Sequence, residues 1–203
     1  TAFWDKLQQT GYETVSTEVF AKMADTQTPQ GILTVLEQPV YDLTQLLEQP
    51  DPLFLMLENL QDPGNLGTMI RTGEGAGITG VIMNNQTVDI FNPKTIRATM
   101  GSIFRVPFVY VPDLALVLEQ MHAKGIHTYA AHLKGQEYYD SFSFREPTAF
   151  LIGNEGNGLS KEISDQAGQY LKIPMEGRVE SLNASIAAAL LMYEAHRQRS
   201  ARL

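Results

Sequence analysis

The chain contains no cysteine. That excludes structural disulfides, thiolate metal sites and a cysteine nucleophile at once. Histidine is scarce, with four in 203 residues. No pair of them shows tight ligand spacing, so no metal is expected in the chemistry. No apolar run approaches the roughly 20 residues needed to span a bilayer. The N-terminus also lacks the charged start and apolar core of a signal peptide. The expectation is therefore a cytoplasmic protein with no membrane partner. Positive charge is short as well. The net charge of −8 argues against a general nucleic-acid-binding surface but leaves room for a local basic cleft. The first residue is Thr rather than Met, so the chain is expected to begin inside a longer native protein.

What is present is apolar, at 43% of residues against 19% charged, enough for a packed core. The length suits one domain, or one domain with a fragment of another. Residues 1–24 read as short elements. "TQTPQGILTVLEQP" reads as a turn, a short apolar strand and a Pro stop, and "YDLTQLLEQPDP" as a short helix. From residue 53 apolar runs suited to strands buried on both faces alternate with helical patterns. "LFLML", "GVIMN", "VPFVYV", "IHTYAAHL", "TAFLIG" and "YLKIPM" are the expected strands. The helices between them include one capped by Asn92 with Pro93 at its first position. Repeated strand–helix alternation predicts an α/β fold with a parallel sheet and helices on both faces. Ligands in such sheets bind beyond the carboxyl ends of the strands. Three loops there carry chemistry, at 59–67, 153–160 and 174–183.

In "ENLQDPGNLGTMIRTGEGAG", Pro63–Gly64 read as the turn and Asn65 as a cap for the helix that follows. Arg71 is either a surface arginine or a ligand-binding one. "LIGNEGNGLS" places Gly153, Gly156 and Gly158 where bare backbone can approach a ligand. Glu155 among them is a solvated loop acid or a carboxylate at the mouth of the strands. "GRVESLNASIAAALLMYEAH" holds Ser181, Asn183 and Ser185 at the start of a long apolar helix, and a cap explains only one of the three. Lys94 and Arg97, three apart, share a helix face that is either solvated or a strip for phosphate. No Walker A loop and no dinucleotide glycine pattern is present, which counts against a Rossmann-type oxidoreductase.

These loops, in this order, resemble the SpoU/TrmH family of RNA 2′-O-methyltransferases. "NLGTMIRTGEGAG" resembles its first motif, with Asn65 and Arg71. "LIGNEGNGLS" resembles the second, with Glu155. "IPMEGRVESLNASIAAALLMYE" resembles the third, with Ser181 and Asn183. "VDIFNPKTIRATMGSIFRVPF" fits the family's middle section, so the resemblance covers about residues 53 to 199. It implies S-adenosylmethionine as methyl donor, a ribose 2′-hydroxyl of RNA as acceptor, a deep trefoil knot, and a homodimer through the last helix. It matches Gly153, Ile173 and Leu182 to backbone that holds the cofactor, with the segment after "IHTYAAHL" lining the same pocket. Residues 1–48 resemble the tail of the family's L30e-like RNA-binding domain plus a linker, leaving 49–203 as the catalytic domain. That remnant leans toward ribosomal RNA. Transfer RNA, and a non-catalytic RNA-binding module on the same fold, are the alternatives. One departure is Gly73, where the family has Ala; a looser helix is expected there.

The resemblance also implies roles. Arg71 has been assigned the part of general base, yet Arg has a pKa above about 12 and stays protonated. A phosphate beside the target ribose, together with the developing alkoxide, is the better ligand for it. Lys94 and Arg97 add RNA contacts. Asn65 is expected to position Arg71 or the ribose, and Glu155 to orient the Arg or the Asn. Ser181 and Asn183 are expected to fix the ribose hydroxyls and the cofactor loop.

Overall fold

A computed structural model describes residues 2–24 and 26–200. The chain divides into two units, residues 1–38 and 39–203. The first holds α1 (Ala2–Thr10) and α2 (Thr17–Met23), the latter capped by the Ser16 hydroxyl. The short strand expected in "TPQGILTVLEQP" is not formed: residues 32–40 carry no strand pairing, and Ile32, Leu33, Val35 and Leu36 are exposed. An extended segment becomes a strand only by joining a ladder, and none is offered to it.

The second unit runs α3 (Leu43–Leu47), β1 (Leu53–Leu57), α4 (Pro63–Ala76), β2 (Gly80–Asn84), α5 (Pro93–Thr99), β3 (Phe108–Val111), α6 (Leu114–Ala123), β4 (His127–Ala131), β5 (Glu137–Tyr138), β6 (Thr148–Ile152), α7 (Lys161–Gln166), β7 (Gln169–Lys172) and α8 (Ala184–Ser200). The seven strands form one sheet in the order β3-β2-β1-β6-β4-β7-β5, and every pairing is parallel. All six expected strands are present; the two-residue β5 is an addition.

The continuous apolar runs serve two cores, one on each face of the sheet. Along β1, Leu53, Leu55 and Leu57 pack with Leu66, Met69 and Ile70 of α4 and with Leu191 and Met192 of α8. Phe54 and Met56 point the other way, toward Leu118 and Met121 of α6 and Ile163 of α7. This period-2 division makes three layers from one unbroken run. Asn92 caps α5 as expected, with Pro93 at its start. Gly73 does not loosen α4, which continues through it to Ala76. An added Cβ there would lie 2.3 Å from Ile78 Cδ1, so Ile78 fills the room that an alanine would take. No helix among the described residues is long and apolar enough to cross a membrane.

The strand order reverses at β1. Its neighbours are β2 on one side and β6 on the other, and Leu57 stands opposite Ile152 where both strands end. The two exit loops therefore lie side by side, at a switch point of the kind where ligands bind.

Candidate active site

α4 begins earlier than the sequence suggests. Its cap is Asp62, not Asn65; the Asp62 carboxylate accepts the Asn65 N–H at 2.8 Å. Pro63 and Gly64 are the first helical residues rather than a turn. Proline suits that position because its φ is already helical and the missing N–H would have had no helical partner. Asn65 is thereby relieved of capping, and its side chain is free for other work.

That work is a hydrogen-bonded chain joining the three loops. Glu155 accepts from the backbone N–H of Asp62 at 2.9 Å, that of Gln61 at 3.1 Å, and Asn65 Nδ2 at 3.1 Å. Asn65 Oδ1 accepts from Asn183 Nδ2 at 3.0 Å. Asn183 Oδ1 accepts the N–H of Ser185 at 2.9 Å and its hydroxyl at 2.7 Å, capping α8. Every amide orientation in this chain is determined. A carboxylate only accepts, so Asn65 must turn its Nδ2 to Glu155 and its Oδ1 to Asn183. A helix start offers donors, so Asn183 must turn its Oδ1 to α8. Ser185, which had no assigned role, is buried and locks that end.

Partial burial pushes the Glu155 carboxyl upward, but the Asp62 N–H, the Asn65 amide and the Gln61 N–H outweigh it and hold the group below its ordinary value of 4.5. A carboxyl depressed in the folded state contributes stability above its unfolded value and loses it as the pH falls through the folded one. Glu155→Gln is thus expected to lower Tm at neutral pH. The gap to the unsubstituted protein should close only on acidification below 4.5. A gap that closes between pH 7 and 5 would contradict this account.

Beside the chain lies a cavity of about 430 Å3 at the carboxyl ends of β4, β6 and β7. Gly153, Ile173 and Leu182 all line it, as do Ser181 and Glu155. His132, Leu133 and Lys134, just after β4, form part of the same wall. The Gly153 backbone is pressed against the returning arm of its own loop. A Cβ there would stand 2.0 Å from the Gly158 carbonyl carbon and 2.1 Å from the Leu159 nitrogen. The arm is closed by paired bonds between Asn154 and Gly158.

Of the three basic residues, Lys94 reaches the amide chain through Asp62, whose N–H donates to Glu155. Arg71 is exposed on α4, and its side chain makes no hydrogen bond or ion pair among the described residues. It lies on one stripe with Gly67, which meets Thr95 and Ala98 of α5, and with Glu74, which binds Ser102 and Arg105. Glu155 therefore orients Asn65 and not Arg71. Lys94 pairs with Asp62 at 3.1 Å, and Arg97 is exposed on the same helix. Two site residues escaped the sequence reading. Asp62 was signalled by its place before a proline at a helix start. Asn154, whose Oδ1 accepts the N–H groups of Gly156 and Asn157, was signalled as an Asx turn in a glycine-rich loop.

Residues 52–193 match the model of the SpoU rRNA Methylase family. A 23S rRNA (guanosine(2553)-2′-O)-methyltransferase of Bacillus subtilis is 35% identical over 179 residues, covering 88% of this chain and 70% of the relative. The SpoU methyltransferase AviRb of Streptomyces viridochromogenes, solved in complex with AdoMet, superposes with a TM-score of 0.88 at 30% identity. The match covers 98% of this chain and 79% of that one. An AdoMet-bound rRNA methyltransferase of Sinorhizobium meliloti gives a TM-score of 0.84 at 34% identity, over 90% of this chain and 70% of its own.

Proposed function

The chain belongs to the SpoU rRNA Methylase family, and from that premise we propose that it methylates a ribose 2′-hydroxyl of ribosomal RNA where Glu155, Asn65 and Asn183 meet. It is an S-adenosylmethionine-dependent RNA 2′-O-methyltransferase on the α/β knot fold. The observation that carries the placement is the amide chain standing against a cavity lined by Gly153, Ile173 and Leu182.

The residues present suit the cofactor. The cavity falls in the usual range for small-molecule sites, about 300–1,000 Å3. Ile152, Leu171 and Leu182 offer apolar wall, and Glu155 and Glu180 offer negative charge to a cationic ligand. S-adenosylmethionine supplies a methyl group already electrophilic on a sulfonium. The chain's own task is alignment of the acceptor and care of its proton. Asn65 and Asn183, locked in orientation, hold the ribose hydroxyls, with Ser181 beside them. Arg71 binds the adjacent phosphate and steadies the alkoxide as it forms. Lys94 and Arg97 extend the phosphate contacts. Residues 1–48 act as the end of an L30e-like RNA-binding domain with its linker, and 49–203 as the catalytic part.

The test is transfer of labelled methyl from S-adenosylmethionine to ribosomal RNA, with transfer RNA in parallel. Alkali-stable label at a ribose of ribosomal RNA is expected. Label on transfer RNA alone would overturn the target, and no label on either would overturn the activity. Gly153→Ala is expected to abolish measurable S-adenosylmethionine binding by calorimetry while far-ultraviolet circular dichroism stays unchanged. Affinity within threefold of the unsubstituted chain would show that the 153–158 loop yields and does not cradle the cofactor. A cytoplasmic homodimer through α8 belongs to the same proposal. Ile186, Leu190 and Tyr193 repeat at helical spacing and are exposed. Light scattering at micromolar concentration should give twice the mass of one chain; the single mass would count against it.

A further inference from the structure

Asn59 stands at φ 55, in the left-handed region that residues other than glycine seldom enter. It lies two residues past the end of β1 and just ahead of the Gln61 and Asp62 N–H groups that hold Glu155. A second carboxamide pair keeps it there. Asn84, the buried last residue of β2, donates through Nδ2 to Asn59 Oδ1 at 2.8 Å. Its own Oδ1 accepts the Asn59 N–H at 3.0 Å and the Thr87 hydroxyl at 2.8 Å. The Asn59 carbonyl in turn accepts from Asn154 Nδ2 at 2.9 Å and Gln61 Nε2 at 3.1 Å. One residue thus ties β2, the exit loop of β6 and the segment leading into α4.

We infer that the Asn84–Asn59 pair is a positioning device for the methyl acceptor. It sets the direction in which residues 60–62 leave the sheet. Those residues place Glu155, which places Asn65 and Asn183. The inference rests on the methyl-transfer reading of that site. None of Asn59, Asn84 and Thr87 lines the cofactor cavity. The pair therefore acts first on acceptor alignment and reaches the cavity only through Asn154 and Glu155, so cofactor affinity is the less sensitive of the two. A displacement of about 1 Å at a reacting geometry can cost about 100-fold in rate.

The experiment uses the full chain with Asn84→Ala, Asn84→Asp and Asn59→Gly. Asn84→Ala removes both bonds to Asn59. Asn84→Asp retains the acceptor, and Asn59 can turn its amide over to donate to the second oxygen, so the pair re-forms. Asn59→Gly removes the side-chain bond from the other side and keeps the backbone one, without backbone strain, since glycine takes positive φ freely. In Asn84→Ala, amide exchange at Gln61 and Asp62 should accelerate and kcat should fall about 10- to 100-fold, with a smaller change of the same sign in Asn59→Gly. S-adenosylmethionine affinity should fall much less than kcat, and Asn84→Asp should recover most of both losses. Unchanged exchange at Gln61 and Asp62 in Asn84→Ala would overturn the inference. So would cofactor affinity that falls in step with kcat. If the unsubstituted chain methylates no RNA, the proposed function fails, and the exchange data alone then decide whether the pair holds the loop.

Discussion

Asn65→Ala is expected to reduce kcat for RNA methylation by about 10²- to 10³-fold, the scale found when a single preorganised donor is removed from an active site. Asn183→Ala should cost nearly as much, and the double substitution little more than the worse single one. The reason is the shared hydrogen bond at 3.0 Å between Asn65 Oδ1 and Asn183 Nδ2. Each amide is held at one end by Glu155 or by the start of α8 and at the other by its neighbour, so removing either loosens the one that remains. Single-turnover methyl transfer at saturating cofactor is the measurement. Losses that multiply in the double variant would show two independent tasks and would dismantle the amide chain as a unit.

Arg71→Lys is expected to lower kcat/KM by about 100-fold, even though the charge is kept. Arg71 is exposed, and no protein group among the described residues occupies its guanidinium. Its planar fork is therefore available to grip two phosphate oxygens at once, which an ammonium cannot do. Stability should hardly change, because nothing in the fold leans on that side chain. The check is kcat/KM for RNA beside Tm. Near-normal turnover by the Lys variant would sink the bidentate clamp and leave Arg71 as a point charge.

The strands and their parallel sense were legible because runs such as Leu53–Leu57 and 149–152 are apolar throughout and bounded by polar or proline-rich turns. The convergence of the three loops followed from the rule that such sheets use their carboxyl ends. The start of α4 was misplaced because Asn65 and Asp62 are both good caps, and only the position of Pro63 decides between them. The strand expected near Ile32–Leu36 failed because a local apolar pattern says nothing of whether a partner strand exists. Asn59 was invisible for a different reason: its left-handed backbone is held by Asn84, 25 residues away. No window of neighbouring residues contains that information. The knot, too, came from family resemblance, since periodicity carries no record of how a chain threads itself.

The hydrogen bonds that make the site span the chain widely, with Asn65 separated from Glu155 by 90 residues and from Asn183 by 118. The core pairing of β1 with β6 closes loops of similar length, but the bond to Asn183 also waits for the last segment of the second unit. A nascent chain that has made β1, α4 and β6 already has most of its core strands. It has no acceptor site until the residues around Asn183 arrive and α8 packs behind them. Catalytic competence is thus a late event in the life of each molecule. RNA methylated by this protein records that its last helix had docked.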